Sequence, residues 1–435
     1  MRLQQGLGKA KLAQKLNEHA IPMGVNLATN RTTVWRWETG QYDPDEKTQA
    51  VIASFFGLAN DQWRHQDWPL WLPVWEVQGL SASWDAPGTV ETLTHLNRSG
   101  LLDRRGFVTV TGAALMALIA SWADAPSAFA SVLAGDRVTD TMVAKLEKRV
   151  ESLRELDAEM GGARLLEQAR GDLALVSGIL QQGRYTEEHG RRLHALAARV
   201  CYLTGWMAYD SGLHSAGQQY YVGALRASRS AGDDEFGAFA MAEMGVQLGE
   251  SGHTSERLAM INAAIATTPS NIHPAVQSYL HLHQAGSLSR TGQDREAATA
   301  LHRATKLWDK ADGDRPEWMG WYGSEQIAST HGKILIRTGR VQEATAALES
   351  SISSAVPRDR AVRSARLAEA RLMGHDLEGA LAAANIGAQL LEESVNSARA
   401  TSRLTEFSAA LEPYAKVTQV AEFRDRLRAL PTVAA

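Results

Sequence analysis

Apolar residues recur along this chain at helical spacing. Between Lys9 and Glu18 they set Leu12, Ala13 and Leu16 on one face of a helix whose other positions are mostly polar. Pro22, Gly24 and Asn26 break that rhythm, and a second helix is expected from Asn30 to Glu38, stopped by Gly40. In it Val34 and Trp37, three positions apart, turn inward and leave Arg31, Thr32, Thr33, Trp35 and Arg36 facing out. Another apolar run, from Ala50 to Leu58, follows Pro44. Alternating runs of Val, Ile and Thr are scarce, whereas Ala, Leu, Arg, Glu and Gln recur throughout, so the fold class expected is all-α.

From about Gly183 onward the pattern repeats. Gly205 and Gly212, Gly245 and Gly252, and Gly332 and Gly339 are each seven residues apart. Ala297 and Ala344 come five residues after Gly292 and Gly339, and Ala224, Ala264 and Ala304 come twelve after Gly212, Gly252 and Gly292. Small residues at set offsets from a turn let two antiparallel helices approach closely. The turn glycines Gly212, Gly252, Gly292, Gly339 and Gly374 lie 35 to 47 residues apart, the period of helical-hairpin repeats. In the last unit Gly379 stands where the others carry Ala. Stacked hairpins leave one concave face for a partner. Its candidate ligand contacts are Trp206 and Tyr209 in the first unit and the cluster Trp318, Trp321 and Tyr322 before the fourth, because aromatics at a rim carry binding energy.

Three domains are expected: residues 1–60, a linking and docking segment at 61–140, and the repeats at 141–435. The middle segment opens with Trp63, Trp68, Trp71 and Trp75 and with Pro69 and Pro73, which prevent one regular helix there. Aromatics can also stack single-stranded nucleic acid, but only Arg64 is nearby to track a phosphate backbone, so docking fits better. Arg104-Arg105-Gly106-Phe107 and the apolar stretch to Trp122 look superficially like a twin-arginine export signal. Such a signal is read at an N-terminus, and Thr109, Thr111, Gly112 and Ser121 interrupt the stretch. A buried helix is expected instead, and no membrane span.

Composition adds constraints. Over 435 residues, 44% hydrophobic and 22% charged residues fit a soluble multidomain protein. A net charge of -4 excludes indiscriminate coating of nucleic acid, so any DNA contact must be local. The single cysteine, Cys201, reads as a core residue in a cytoplasmic protein. No Walker loop, His-Glu-x-x-His pair, Gly-x-Ser-x-Gly elbow or nicotinamide fingerprint occurs, so neither enzymatic activity nor a cofactor or metal is expected. His281 and His283, two apart on a helix, point to different sides, and Asp233-Asp234-Glu235 and Glu392-Glu393 read as solvated helix ends.

The outward face of the second helix suits a major groove, where Arg forks to guanine, Asn to adenine, and a Thr methyl packs on thymine. Arg2, Lys9, Lys11, Lys15, Arg31 and Arg36 are opposed before Trp37 only by Glu18. Lys-Leu-Ala-Gln-Lys-Leu at 11–16, Arg-Thr-Thr-Val-Trp-Arg-Trp-Glu-Thr-Gly at 31–40 and the run at 50–58 together resemble the Xre/Cro-type helix-turn-helix family. The resemblance implies that the second helix enters the major groove. It places Lys9 and Lys11 toward phosphate, and Asn30, Arg31, Thr32, Thr33, Trp35 and Arg36 on the reading face. The family's opening helix would precede Gly6, where only Met1 to Gln5 remain, so the module is expected to be truncated or to begin at a late start; the link from Ala20 to Thr29 is also longer than a tight turn.

Residues Arg184 to Leu430 resemble tetratricopeptide repeats, most clearly at Gly205 to Gly212 and Gln218 to Leu225, with Pro269 closing the second unit. The combination looks like the actinobacterial regulators of differentiation and antibiotic production. Pro316-Glu317-Trp318 and Arg358-Asp359-Arg360, leading into Leu367 to Arg371, fit that class. It implies a homodimer on a double-stranded DNA operator, with a small molecule or peptide as a possible effector in the concave groove. The alternative is a tetratricopeptide-type protein-interaction scaffold without DNA binding.

Overall fold

The computed structural model describes residues 8–38, 43–55, 82–98, 118, 122, 137–250, 252–269 and 271–430. Among them the chain is all-α and sheet-free, with one isolated bridge between Arg137 and Arg184. Its contacts divide into two units, residues 1–77 with 101–116, and residues 78–100 with 117–435. No helix among the described residues is long and apolar enough to cross a membrane.

In the first unit, α1 (Lys9–Ala20), α2 (Arg31–Glu38) and α3 (Glu46–Phe55) share one small core. Leu12, Ala13, Leu16 and Ala20 meet Val34 and Trp37 from α2 and Val51, Ile52 and Ala53 from α3, so the two residues expected to turn inward do so. The long link after α1 is built rather than loose. It begins as a 3₁₀ turn at Ile21–Met23 and reverses at Gly24, whose φ of 69° suits a residue without Cβ. The Asn17 carboxamide then brackets Thr29, donating to its carbonyl at 2.8 Å and accepting its N–H at 3.0 Å. Asp45 caps α3 by accepting the Thr48 N–H at 2.8 Å. The Gly40 stop, the run 56–58 and the Trp/Pro stretch at 63–75 lie outside the described residues.

The second unit begins with α4 (Ala86–Arg98), α5 (Asp140–Met160) and α6 (Leu166–Gln182). Consecutive helix pairs follow: α7 (Glu187–Asp210) with α8 (His214–Ala231), α9 (Asp234–Glu250) with α10 (Thr254–Thr267), and α11 (Pro274–Arg290) with α12 (Asp294–Ala311). Three more complete the row: α13 (Ser324–Arg337) with α14 (Val341–Ile352), α15 (Pro357–Met373) with α16 (Leu377–Glu393), and α17 (Ala398–Ala410) with α18 (Thr418–Ala429). Helix α4 lies on α6 and α8. Arg226 secures the segment before it, donating to Ser83 O at 2.7 Å and Ala82 O at 2.8 Å, with its guanidinium 4.4 Å from the Trp84 ring. Of the expected buried helix before Trp122, Leu118 and Trp122 themselves are described; both are helical and buried, and the rest lies outside the described residues.

The turn between paired helices sets a common frame. Gly212, Gly252, Gly292 and Gly339 have φ of 80°, 93°, 74° and 74°, where an L side chain is penalised. In the fifth pair the expected turn residue, Gly374, has φ -79°, and His375 takes the left-handed position at 61°. The frame therefore shifts by one residue. In the last three of these five pairs the column five after the turn then reads Ala297, Ala344 and Ala380, all fully buried, and Gly379 is no exception within it. Seven before the turn stand Gly205, Gly245, Ala285, Gly332 and Ala368, and twelve after it Ala224, Ala264, Ala304, Ser351 and Gly387, all buried. The reason is closeness: a Cβ on Gly205 would stand 3.0 Å from the Gly217 carbonyl, and one on Gly217 as near the Gly205 carbonyl.

The row of pairs closes on itself. At the end of α5, the Met160 carbonyl accepts the Asn396 N–H at 2.7 Å, and Gly161, with φ 82°, has no room for a Cβ against Asn396 O. Asp157 of α5 pairs with Arg358 at the start of α15. Asp210, the last residue of α7, accepts from Ser397 Oγ at 2.9 Å and Arg399 Nε at 3.1 Å at the start of α17. The partners of Asp157 and Asp210 lie 187 to 201 residues away in sequence.

Two substitutions test the frame. His375→Gly should stabilise the protein by up to about 1 kcal/mol, what is left of the left-handed penalty after glycine's greater unfolded freedom. Gly205→Leu should destabilise it by about 1–3 kcal/mol through overpacking. Urea unfolding reads both, and the opposite sign at either position contradicts the frame.

Candidate functional site

In the first unit the outward face of α2 is a stripe. At about 100° per residue, Arg31, Trp35, Thr32 and Arg36 follow one another around one side of the helix. All four are exposed, and Thr33 is half-buried at the edge. Asn30 is exposed too, but its Oδ1 accepts the Thr33 N–H at 2.9 Å and the Thr33 hydroxyl at 3.2 Å. It is therefore the N-cap of α2, and the acceptor needed for a two-point contact with adenine is already used. Lys9 and Lys11 sit on the first turn of α1, Lys11 exposed and donating to Gln14 Oε1 at 3.4 Å.

In the second unit the first helices of the pairs surround a cavity of about 310 Å³. Nine basic side chains line it (Arg154, Arg257, Arg290, Lys333, Arg337, Arg358, Arg363, Arg366 and Arg399) against the four carboxylates Asp157, Glu243, Glu250 and Asp359. Near the closure the charges balance: Arg358 contacts Asp157 and, at 3.2 Å, Asp359, and Arg363 lies 3.6 Å from Asp359. Arg358 and Arg399 also cover the Trp206 ring, at 5.1 and 4.9 Å from its centre.

The balance fails at the other end. Glu250 pairs with Arg290 at 2.6 Å and with Arg403. Although burial opposes it, Arg366, Arg403, Arg290 and Arg257 hold its carboxyl well below the usual range. Arg257 donates to Ser287 Oγ at 2.8 Å, and among the described residues no carboxylate lies within ion-pair distance of Arg257, Lys333, Arg337 or Arg366. Burial and mutual repulsion push the Arg257 and Arg366 guanidinium groups down to about 10, still cations at neutral pH, and push Lys333 well below the ordinary lysine value. Glu243, on the cavity wall, is buried with no partner for its Oε2 among the described residues, and burial pushes its carboxyl up to about 8. His283 is buried with both ring nitrogens unpartnered among the described residues, and burial and nearby Arg257 and Lys333 hold it neutral.

Of the aromatics expected to contact a ligand, Trp206, Tyr209 and Trp321 line the cavity. Trp318 packs instead on Phe236 and Phe239, with centroids 5.0 and 4.9 Å away, and Tyr322 is fully buried with its hydroxyl 2.8 Å from Ser278 Oγ. Both belong to a seam between helices. Asp233, Asp234 and Glu235 are not solvated, as sequence suggested, but half-buried: Asp233 caps α9, Asp234 pairs with Arg229 at 2.9 Å, and Glu235 accepts the His273 N–H at 2.8 Å. Glu392 is exposed and pairs with Arg426 at 2.6 Å. His281 meets Gln284 at 2.9 Å, apart from His283, and among the described residues no group of three His, Cys, Asp or Glu could hold a metal. Cys201 is fully buried in the core.

Sequence reasoning missed the basic lining. One signal was present: Arg257 stands five residues after turn Gly252, in the column otherwise filled by Gly217, Ala297, Ala344 and Ala380. A long cation fits there because Gly249 vacates the space; a Cβ on Gly249 would lie 2.3 Å from Arg257 Cδ. No family model matches the chain, and no curated protein matches it.

Glu243 gives this site a pH signature. Its folded value of about 8 exceeds the ordinary 4.5, so the folded state holds the proton more tightly. That contribution is complete below about pH 4.5 and is lost as pH rises to about 8, at roughly 1.4 kcal/mol per pH unit between the two. Relative to Glu243→Gln, the wild-type protein should lose stability across that window in urea unfolding. Parallel pH profiles would show that Glu243 is not held protonated.

Proposed function

We propose that this chain is a sequence-specific DNA-binding transcriptional regulator of the helix-turn-helix type, with a tetratricopeptide-like domain that receives an effector. The observation that carries the reading is the exposed stripe Arg31, Thr32, Trp35 and Arg36 on α2, a helix held in a three-helix core through its opposite face. The groups on the stripe suit the donor and acceptor edges and the thymine methyl of a major groove. The Asn17–Thr29 bracket holds the connection to α2 at a fixed geometry, so the reading helix is presented rigidly. The protein acts as a homodimer in the cytoplasm, placing two copies of α2 in half-sites about one helical turn apart, and it catalyses no reaction. Thr32 and the two arginines read bases; Asn30 holds the helix start, and Lys9 and Lys11 contact phosphate.

Selection of fragments of the source genome by the purified protein at about physiological salt should recover an inverted repeat. Arg31→Ala with Arg36→Ala should weaken binding to it by about 100-fold or more, two base contacts at roughly tenfold each or better. Circular dichroism verifies that the variant is folded. If a folded wild-type protein enriches no sequence, the chain is a protein-interaction scaffold instead.

A further inference from the structure

The basic end of the cavity has a composition that protein stability does not explain. Buried Arg257, half-buried Arg290, Lys333 and Arg366, and Arg337 at the exposed rim converge there about Glu250. Glu369 also faces Arg337 and Arg366, but it is exposed and lies outside the lining. Like charges gathered in a poorly solvated space repel one another, and a buried cation without a counter-charge destabilises a fold. Thr330, Glu243 and His283 also line the cavity, and among the described residues their buried Thr330 Oγ1, Glu243 Oε2 and both His283 nitrogens have no hydrogen-bond partner. Buried polar atoms left without protein partners mark where a ligand or ordered solvent completes the hydrogen bonding.

We propose that this cavity is a receptor for a small organic polyanion carrying phosphate or carboxylate groups. The anionic groups sit among Arg257, Lys333, Arg337 and Arg366, and a flat apolar part lies against Trp321. Trp206 is less suited to that second role, because two guanidinium groups already cover it. Trp321 meets Tyr279 edge-on at 5.7 Å, and Tyr279 in turn stacks near His283 at 4.3 Å, so an aromatic wall adjoins the basic end. A volume of about 310 Å³ suits a metabolite-sized ligand and not a polymer. Charge-assisted bonds from several fixed cations supply the affinity, and the neutral Glu243 carboxyl adds a donor. This deepens the effector half of the reading above and rests on it only for any consequence at DNA. The site is tested on free protein, so failure here and failure to bind DNA are separate results.

The test is titration of the full chain with phenyl phosphate, phthalate and inorganic pyrophosphate at matched ionic strength, followed by calorimetry and by melting temperature. Saturable binding of at least one is expected, with phenyl phosphate against phthalate naming the preferred head group. Lys333→Gln and Arg366→Gln should each weaken binding about tenfold or more. Without ligand Arg366→Gln should melt at a higher temperature than wild type, because it removes a cation repelled by its neighbours. Arg426→Gln, outside the cavity, should leave binding unchanged. The proposal is overturned if no probe saturates up to about 10 mM, a concentration beyond any specific affinity of interest. It is equally overturned if wild type and both cavity variants bind alike, or if Arg366→Gln melts lower, which would make that cation structural.

Discussion

The second unit depends on a set of ion pairs that sequence distance conceals. Asp157 with Arg358, and Asp210 with Ser397 and Arg399, join the helices that begin the row to those that end it. Both aspartates are almost wholly buried. Removing one partner from such a pair leaves an uncompensated charge in a poorly solvated place, at a cost of about 3–5 kcal/mol, although an apolar replacement of both can be neutral. The pairs therefore specify which ends meet more than they add net stability. They are backed by close backbone approach, since Gly161 lies against Asn396 with no space for a side chain.

Closure brings the inner faces of the first helices together, and with them a charge imbalance that an open row would leave in water. Near the junction acids and bases match; away from it Arg257, Arg290, Arg366 and Arg403 act together on Glu250, with Lys333 and Arg337 beside them. A fold that retains such repulsion forgoes stability at a place where a ligand can recover it, the pattern expected of a binding site. The neutral Glu243 and His283 on the same wall follow from the same burial.

Much of this was legible in the sequence. The inward pair Val34 and Trp37, the exposed stripe on α2 and the small-residue columns of the repeats follow from helical spacing alone. The fifth turn was misplaced by one residue because glycine is the usual left-handed residue, and His375 takes that place instead. The basic cavity left one local trace, Arg257 in a column of small residues, which becomes readable only once the frame is known. Periodicity could not separate Trp321, on the cavity wall, from Trp318 and Tyr322 in the seam, because all three are aromatic and close in sequence. The closing ion pairs join residues far apart and carry no periodic signal.

A double-mutant cycle across Asp157 and Arg358 tests the closure most directly. Asp157→Leu and Arg358→Met should each cost about 3–5 kcal/mol in urea unfolding, while the double variant costs much less than their sum, a coupling above about 1 kcal/mol. Strictly additive losses would mean that the two side chains do not hold the ends of the row together, and the basic cavity would lose its physical basis.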